Sequence, residues 1–286
     1  MLKQLLTAGG LLFALTSAAT ITKDTIPETS KSTEPNWKVE IWGGYMLPIG
    51  QQVLGTNMWT TVGYGTTENH YGSLGKGWQA GFTLSRKVAE HYSAELGIGY
   101  FTSKTYPIEY EWTDNGMWIN GPAKSTMQLR ALRVFAGIAV PFYETPKFSL
   151  SVRTGAVMAI PKMREDFIFL QYNGDTSGYQ TNITHSRIAP GFYAALRASQ
   201  QLGKHWYINA EILGIAQSWA PGKRTVTRFE LYGENKLSQL DVWSKEVVYT
   251  KDVPAQQSNV NEPYKVFRID HTLSSIGLQI GIARSF

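Results

Sequence analysis

The 286-residue chain contains no cysteine. This excludes disulfides, thiolate metal centres, a cysteine nucleophile and a lipidated N-terminal cysteine. Charged residues make up only 17%, against about a quarter in an average soluble domain. Yet no internal stretch reaches the roughly 18 consecutive apolar residues that a membrane helix needs. The net charge of +5 is modest. No Lys/Arg cluster is interleaved with aromatics, so nucleic acid is not an expected partner. No metal-ligand spacing appears, so neither a metal nor a cofactor is implied.

What the chain does have is abundant glycine, 13% aromatic residues and apolar residues that recur with a period of two. The last eleven residues show the pattern most clearly. Ile276, Leu278, Ile280 and Ile282 alternate with Gly277, Gln279, Gly281 and Ala283, and the run ends at Phe286. A period of two places the two sets on opposite faces of a strand.

Residues 1–19 carry Lys3, the apolar run Leu11–Leu15 and the small residues Ser17-Ala18-Ala19. They read as a secretory signal peptide. Residues 20–36, rich in Thr, Ser, Lys, Glu and Pro, are expected to form a periplasmic lead-in. Alternating segments begin at Trp37. They cover 37–45, 77–87, 92–106, 124–143, 148–160, 187–200 and 205–219, with the final strand after Arg268. Connections between them alternate long and short. The short ones fall at Val88–His91, Glu144–Lys147 and Gln201–Lys204. Asp114-Asn115-Gly116 and Asn173-Gly174 mark the tips of two long hairpins. A change of parity near Ala131-Leu132 predicts a β-bulge there. Thr225–Tyr232 and Val242–Lys251 also alternate. They are expected to form a protruding hairpin, which leaves eight strands, or else an extra membrane pair, which makes ten.

One face of these segments is almost entirely Val, Ile, Leu, Phe and Ala. The other is Gly, Ser, Thr, Gln, Glu and Arg. Such a polar face is poor filling for a dry soluble core; placed inside a barrel, it turns the apolar face to lipid. Aromatic residues gather near strand ends and predict interfacial girdles, with Trp37, Tyr92, Phe148 and Trp206 at one rim and Trp78 and Trp219 at the other. The expected fold is therefore all-β: a transmembrane antiparallel up-and-down β-barrel over residues 37–286, with short periplasmic turns and long extracellular hairpin loops.

On this pattern the chain resembles the small outer-membrane β-barrel proteins, the OmpA/OmpX-like barrels and the Bacteroidetes-type barrel domain family. The resemblance implies that the terminal strand, Ile276, Leu278, Ile280, Ile282 and Phe286, is the signal read by the barrel-assembly machinery. It also implies residence among outer-membrane lipid and lipopolysaccharide.

The inward parity carries Glu40, Glu95 and Glu211 against Arg133, Arg153 and Arg197. Charges inside a narrow barrel must be paired, and eight strands leave room only for side chains. A static ion-pair network filling the lumen is the expectation, with a gated polar pore as the alternative. Two rim groupings carry chemistry on paper: His185-Ser186 with Glu165-Asp166, and Asp270-His271 with Ser274-Ser275. Neither contains a nucleophile motif, so no catalytic residue is assigned. Long connections bearing Tyr179, Tyr232, Trp243 and Tyr249 suit an external protein or glycan ligand, or simply clamp the hairpins. The functional expectation is a structural or surface-binding barrel with a polar, largely occluded lumen. A small porin-like channel stands second and a rim enzyme acting on lipid or peptide third.

Overall fold

The computed structural model describes residues 37–61, 64–89, 91–114, 120–171, 175–253 and 259–286, with backbone alone for 55–70 and 110–122. The expected signal peptide, the lead-in, Asn115-Gly116 and Asn173-Gly174 lie outside the described residues. Strand β1 (Trp37–Pro48) is followed by β2 (Gln52–Thr61) and β3 (Tyr64–Gly72), then β4 (Gly77–Ala89), β5 (Tyr92–Ser103), β6 (Tyr106–Asp114), β7 (Asn120–Glu144) and β8 (Phe148–Leu170). Next come β9 (Thr176–Ser186), β10 (Ala189–Gln201), β11 (Trp206–Trp219), β12 (Pro221–Leu231) and β13 (Glu234–Asn235). A helical turn at Val242–Lys245 precedes β14 (Glu246–Thr250), β15 (Tyr264–Phe267), β16 (His271–Thr272) and β17 (Ser275–Ser285).

Eight of these strands close a ring in the order β1-β4-β5-β7-β8-β10-β11-β17, and β17 pairs back onto β1. Every ring pairing is antiparallel. Cross-strand partners followed once around the ring run from Ala283 through Glu40, Thr83, Gly97, Phe135, Val157, Gly191 and Gln217 to the level of Leu273, whose N–H donates to the Gln217 carbonyl. The ring thus closes ten residues out of register (283 to 273). Such a stagger requires steeply tilted strands and an interior just wide enough for side chains.

The period-two patterns hold on the structure. On β17, Ile276, Leu278, Ile280 and Ile282 are exposed on the exterior, while the residues between them are buried. Val39, Ile41, Phe82, Leu96, Leu132, Met158, Ile160, Phe192, Leu196, Ile208 and Ile212 continue this apolar belt around the ring. The predicted bulge at Ala131-Leu132 is not formed. Register on both sides of β7 runs unbroken through it, and the irregularity lies at Pro141/Tyr143. The change of parity reflected an apolar interior instead: Leu129 and Ala131 are buried on the same face as Arg133 and Phe135.

Beyond the ring, β7 and β8 stay paired and grow a second sheet in the order β6-β7-β8-β9-β12-β14-β15, of which the last pair is parallel. The two ambiguous alternating segments are β12 and β14 in this sheet, so the ring has eight strands. Ala123, Phe169, Val226, Phe229 and Leu231 form a core for it, joined by Phe167, Leu237 and Leu240.

Candidate functional site

The lumen is filled in tiers. The tier nearest the periplasmic turns holds charge, because Glu40 (β1), Glu95 (β5), Arg153 (β8), Arg197 (β10) and Glu211 (β11) all have inward parity. All five are buried. Arg153 Nε lies 2.5 Å from Glu95 Oε2, and its Nη1 bonds Glu211. Arg197 reaches all three carboxylates: Glu40 Oε2 at 2.8 Å, Glu211 Oε2 at 3.0 Å and Glu95 Oε1 at 3.5 Å. Asn209 donates to Glu40 Oε1 at 2.7 Å and accepts from Ser199. Planar forks against several carboxylates suit this multiple pairing, and burial is tolerable only with it.

An aromatic tier follows. Trp42 meets Phe135 edge-on at 6.0 Å, and Phe135 meets Tyr193 edge-on at 5.5 Å. The Trp42 indole donates to Thr83 Oγ1 at 2.9 Å. Its ring lies against Gly81 and Gly99 on the two following strands, where a Cβ would fall 2.7 and 2.6 Å from it. Glycine is required there because the ring occupies the side-chain space. Between these tiers Trp42, Tyr193, Glu211 and Gln279 help to line a cavity of about 10 Å³, room for roughly one water molecule.

Arg133 stands apart from the carboxylates it was expected to join. It sits above the aromatic tier, fully buried, with its guanidinium 4.3 Å over the Phe101 ring and Nη1 donating to Gln79 Oε1 at 2.9 Å. Its strand position decides this: Arg133 pairs with Gly99, whereas Glu95, two inward positions below, pairs with Gly137. Further up the strands the interior becomes mostly apolar, with Leu129, Ala131, Ala159 and Leu273 buried alongside Ser103 and Gln217. The polar filling expected of the lumen is therefore concentrated in its lower part.

Of the six expected girdle residues, Trp37, Tyr92, Trp206 and Trp78 are exposed on the exterior, and Phe148 is half-buried against Tyr143. Trp219 is a correction. It shares the inward parity of Glu211, Leu213, Ile215 and Gln217, is fully buried, and stacks on His271 at 5.1 Å. At the periplasmic rim, Arg86 lies over Trp37, and Arg284 lies over both Trp206 and Phe286. These ring faces explain how an outward arginine is accommodated in the last strand.

The two rim groupings are not assembled as nucleophile and base. Ser186 Oγ bonds the carbonyls of Pro161 and Arg187. Glu165 is buried with Asn182 Nδ2 at 3.4 Å, and burial pushes its carboxyl above the usual range. Ser274 Oγ bonds the backbone of Gln217, and His271 is engaged by Trp219. Among the long-connection aromatics, Trp243 packs on Tyr264 at 4.7 Å, whereas Tyr232 is exposed.

No family model matches the chain, and no curated protein matches it in sequence. Several solved structures resemble it. The attachment invasion locus protein Ail of Yersinia pestis is 7% identical, covers 88% of this chain and 99% of its own, and has a TM-score of 0.33. The outer membrane protein AlkL is 11% identical over 93% and 97%, with a TM-score of 0.36. The outer membrane protease OmpT of Escherichia coli is 10% identical over 91% and 99%, with a TM-score of 0.31. These superpositions are loose, and the membrane placement rests on the barrel itself. A closed ring leaves no unpaired edge for lipid to meet, and the exterior is an apolar belt bordered by aromatics. The chain is a membrane-spanning barrel of the outer-membrane kind.

Proposed function

We propose that this is an integral outer-membrane protein with a closed lumen, whose role is structural or surface-binding and is carried by the sheet above the membrane. The sealed interior is the observation that carries this reading. A charged tier cross-linked by Arg153 and Arg197, an aromatic tier and an apolar tier follow one another along the barrel. Passage of a solute would require several buried ion contacts to break together, at a cost of about 3–5 kcal/mol for each charge left unpaired. The proposed role is non-catalytic, supported by the engagement of Ser186 and His271 in structural contacts. The closing strand β17 is proposed as the segment presented to the barrel-assembly machinery, and the exposed Tyr232 as part of the surface offered to a protein or glycan. Planar-bilayer recording on the refolded protein tests the reading: no defined unitary current is expected, and a reproducible ohmic step would overturn it.

A further inference from the structure

The exterior of the second sheet carries a row of basic residues at the level where the lipid belt stops. Arg130 on β7 is directly opposite Lys162 on β8, Lys162 is opposite His185 on β9, and His185 is opposite Lys223 on β12. All four are exposed. Arg130 and Lys162 are like charges directly opposite one another, an arrangement that destabilises a sheet, so this pair demands compensation. Lys223 has it, with Glu246 Oε2 at 2.8 Å. Arg130 bonds only the neutral Gln128 side chain, at 3.1 and 3.2 Å. Lys162 and His185 have no carboxylate partner among the described residues. Two neighbouring arginines of the same sheet are neutralised, Arg164 by Asp166 at 2.7 Å and Arg228 by Glu230 at 2.7 Å. Arg130, Lys162 and His185 thus differ from these two arginines in lacking a carboxylate partner among the described residues.

Directly beneath it lies the lipid belt. Two residues down the same faces of β7 and β8, Leu132 is opposite Ile160, and both are exposed. Ile188, next to β10, is 62% exposed. An occupant that satisfies both levels needs an anionic head and an apolar body. We propose that Arg130, Lys162 and His185, flanked by Lys223, bind the phosphate-bearing headgroup of a lipid in the external leaflet. The chemistry is that of charge-assisted hydrogen bonds to phosphate oxygens, with the acyl chains lying against the belt below. This inference rests on the membrane placement argued above.

The test uses the full mature protein in phosphatidylcholine nanodiscs, with and without diphosphoryl lipid A, and with the dephosphorylated form. Native mass spectrometry reads retained lipid, and thermal melting reads protection. Diphosphoryl lipid A is expected to be retained and to raise Tm. The triple variant Arg130→Gln, Lys162→Gln, His185→Asn is expected to bind it about tenfold more weakly. The charge-conserving pair Arg130→Lys with Lys162→Arg is expected to keep binding. Undiminished binding by the triple variant would overturn the site, as would equal retention of the dephosphorylated lipid. Equal protection by inorganic phosphate alone would overturn the lipid assignment. Heat-modifiable gel migration is read on the same samples. If the wild type shows no folded band, the barrel reading fails with the inference; if it does, only the inference is at stake.

Discussion

Arg153 and Arg197 hold three buried carboxylates, and each makes contacts that no single substitution replaces. Arg153→Met is therefore expected to leave Glu95 and Glu211 under-compensated and to destabilise the barrel by about 3–5 kcal/mol. Adding Glu95→Gln and Glu211→Gln to that variant should recover part of the loss. Unfolding midpoints in detergent check both. At Gly99 a methyl would fall 2.6 Å from the Trp42 ring. Gly99→Ala should displace the indole, cost about 1–3 kcal/mol and change the near-ultraviolet circular dichroism. Gly214→Ala is the contrast: its Cβ would meet only a carbonyl at 3.6 Å, and it should change stability by less than about 0.5 kcal/mol. A spectrum unchanged in Gly99→Ala would remove the aromatic tier from the account.

At the scale of elements, β8 belongs to two structures. Its first half is a ring strand, and its second half seeds the external sheet through β9. Glu165 lies in that second half, outside the lipid belt, and its raised pKa follows first from burial. A raised acid pKa means that the folded sheet holds the proton more tightly than the unfolded chain does. Its stability is thus greatest below the unfolded carboxyl value and falls as pH rises toward the folded one. Amide exchange across β8 and β9 should quicken, beyond the intrinsic base dependence, as pH rises from the acid range. Glu165→Gln should slow exchange at neutral pH and flatten that dependence. The closing strand β17 makes a different prediction. Removing Phe286 should reduce the amount of barrel assembled in cells while leaving refolding in detergent intact, since the β1–β17 register extends from Lys38↔Ser285 to Pro48↔Ser275. Equal recovery of full-length and truncated protein from outer-membrane fractions would count against the assembly role.

For the whole molecule, ring and external sheet share β7 and β8, yet the ring closes without the rest of that sheet, because its bonds pass from β11 to β17 without using β12 to β15. Replacing residues 222–268 with a short turn should therefore leave a heat-modifiable barrel. Leu273 must be kept, because it fills the upper lumen and bonds Gln217. Loss of the folded band would show that the external sheet supports the ring.

The alternation from Trp37 to Phe286 was enough to assign an all-β chain, eight strand segments with a further pair left open, most lipid-facing residues outside β7 and the five charges of the ion-pair tier. A period of two assigns faces without knowledge of neighbours. It could not decide what meets what across the lumen. Arg133 shares the parity of the inward charges, but strand stagger lifts it above the aromatic tier, away from any carboxylate. Trp219 sits at a strand end like a girdle residue, but its parity turns it inward to His271. Asn209, Gln279 and Thr83 look like ordinary polar positions until the ring closes. The basic row is hidden further still, because Arg130, Lys162, His185 and Lys223 are far apart along the chain, and only the pairing of four strands sets them side by side. Local periodicity depends on backbone geometry alone, whereas contact across a barrel depends on register, which is settled only when the last strand finds the first.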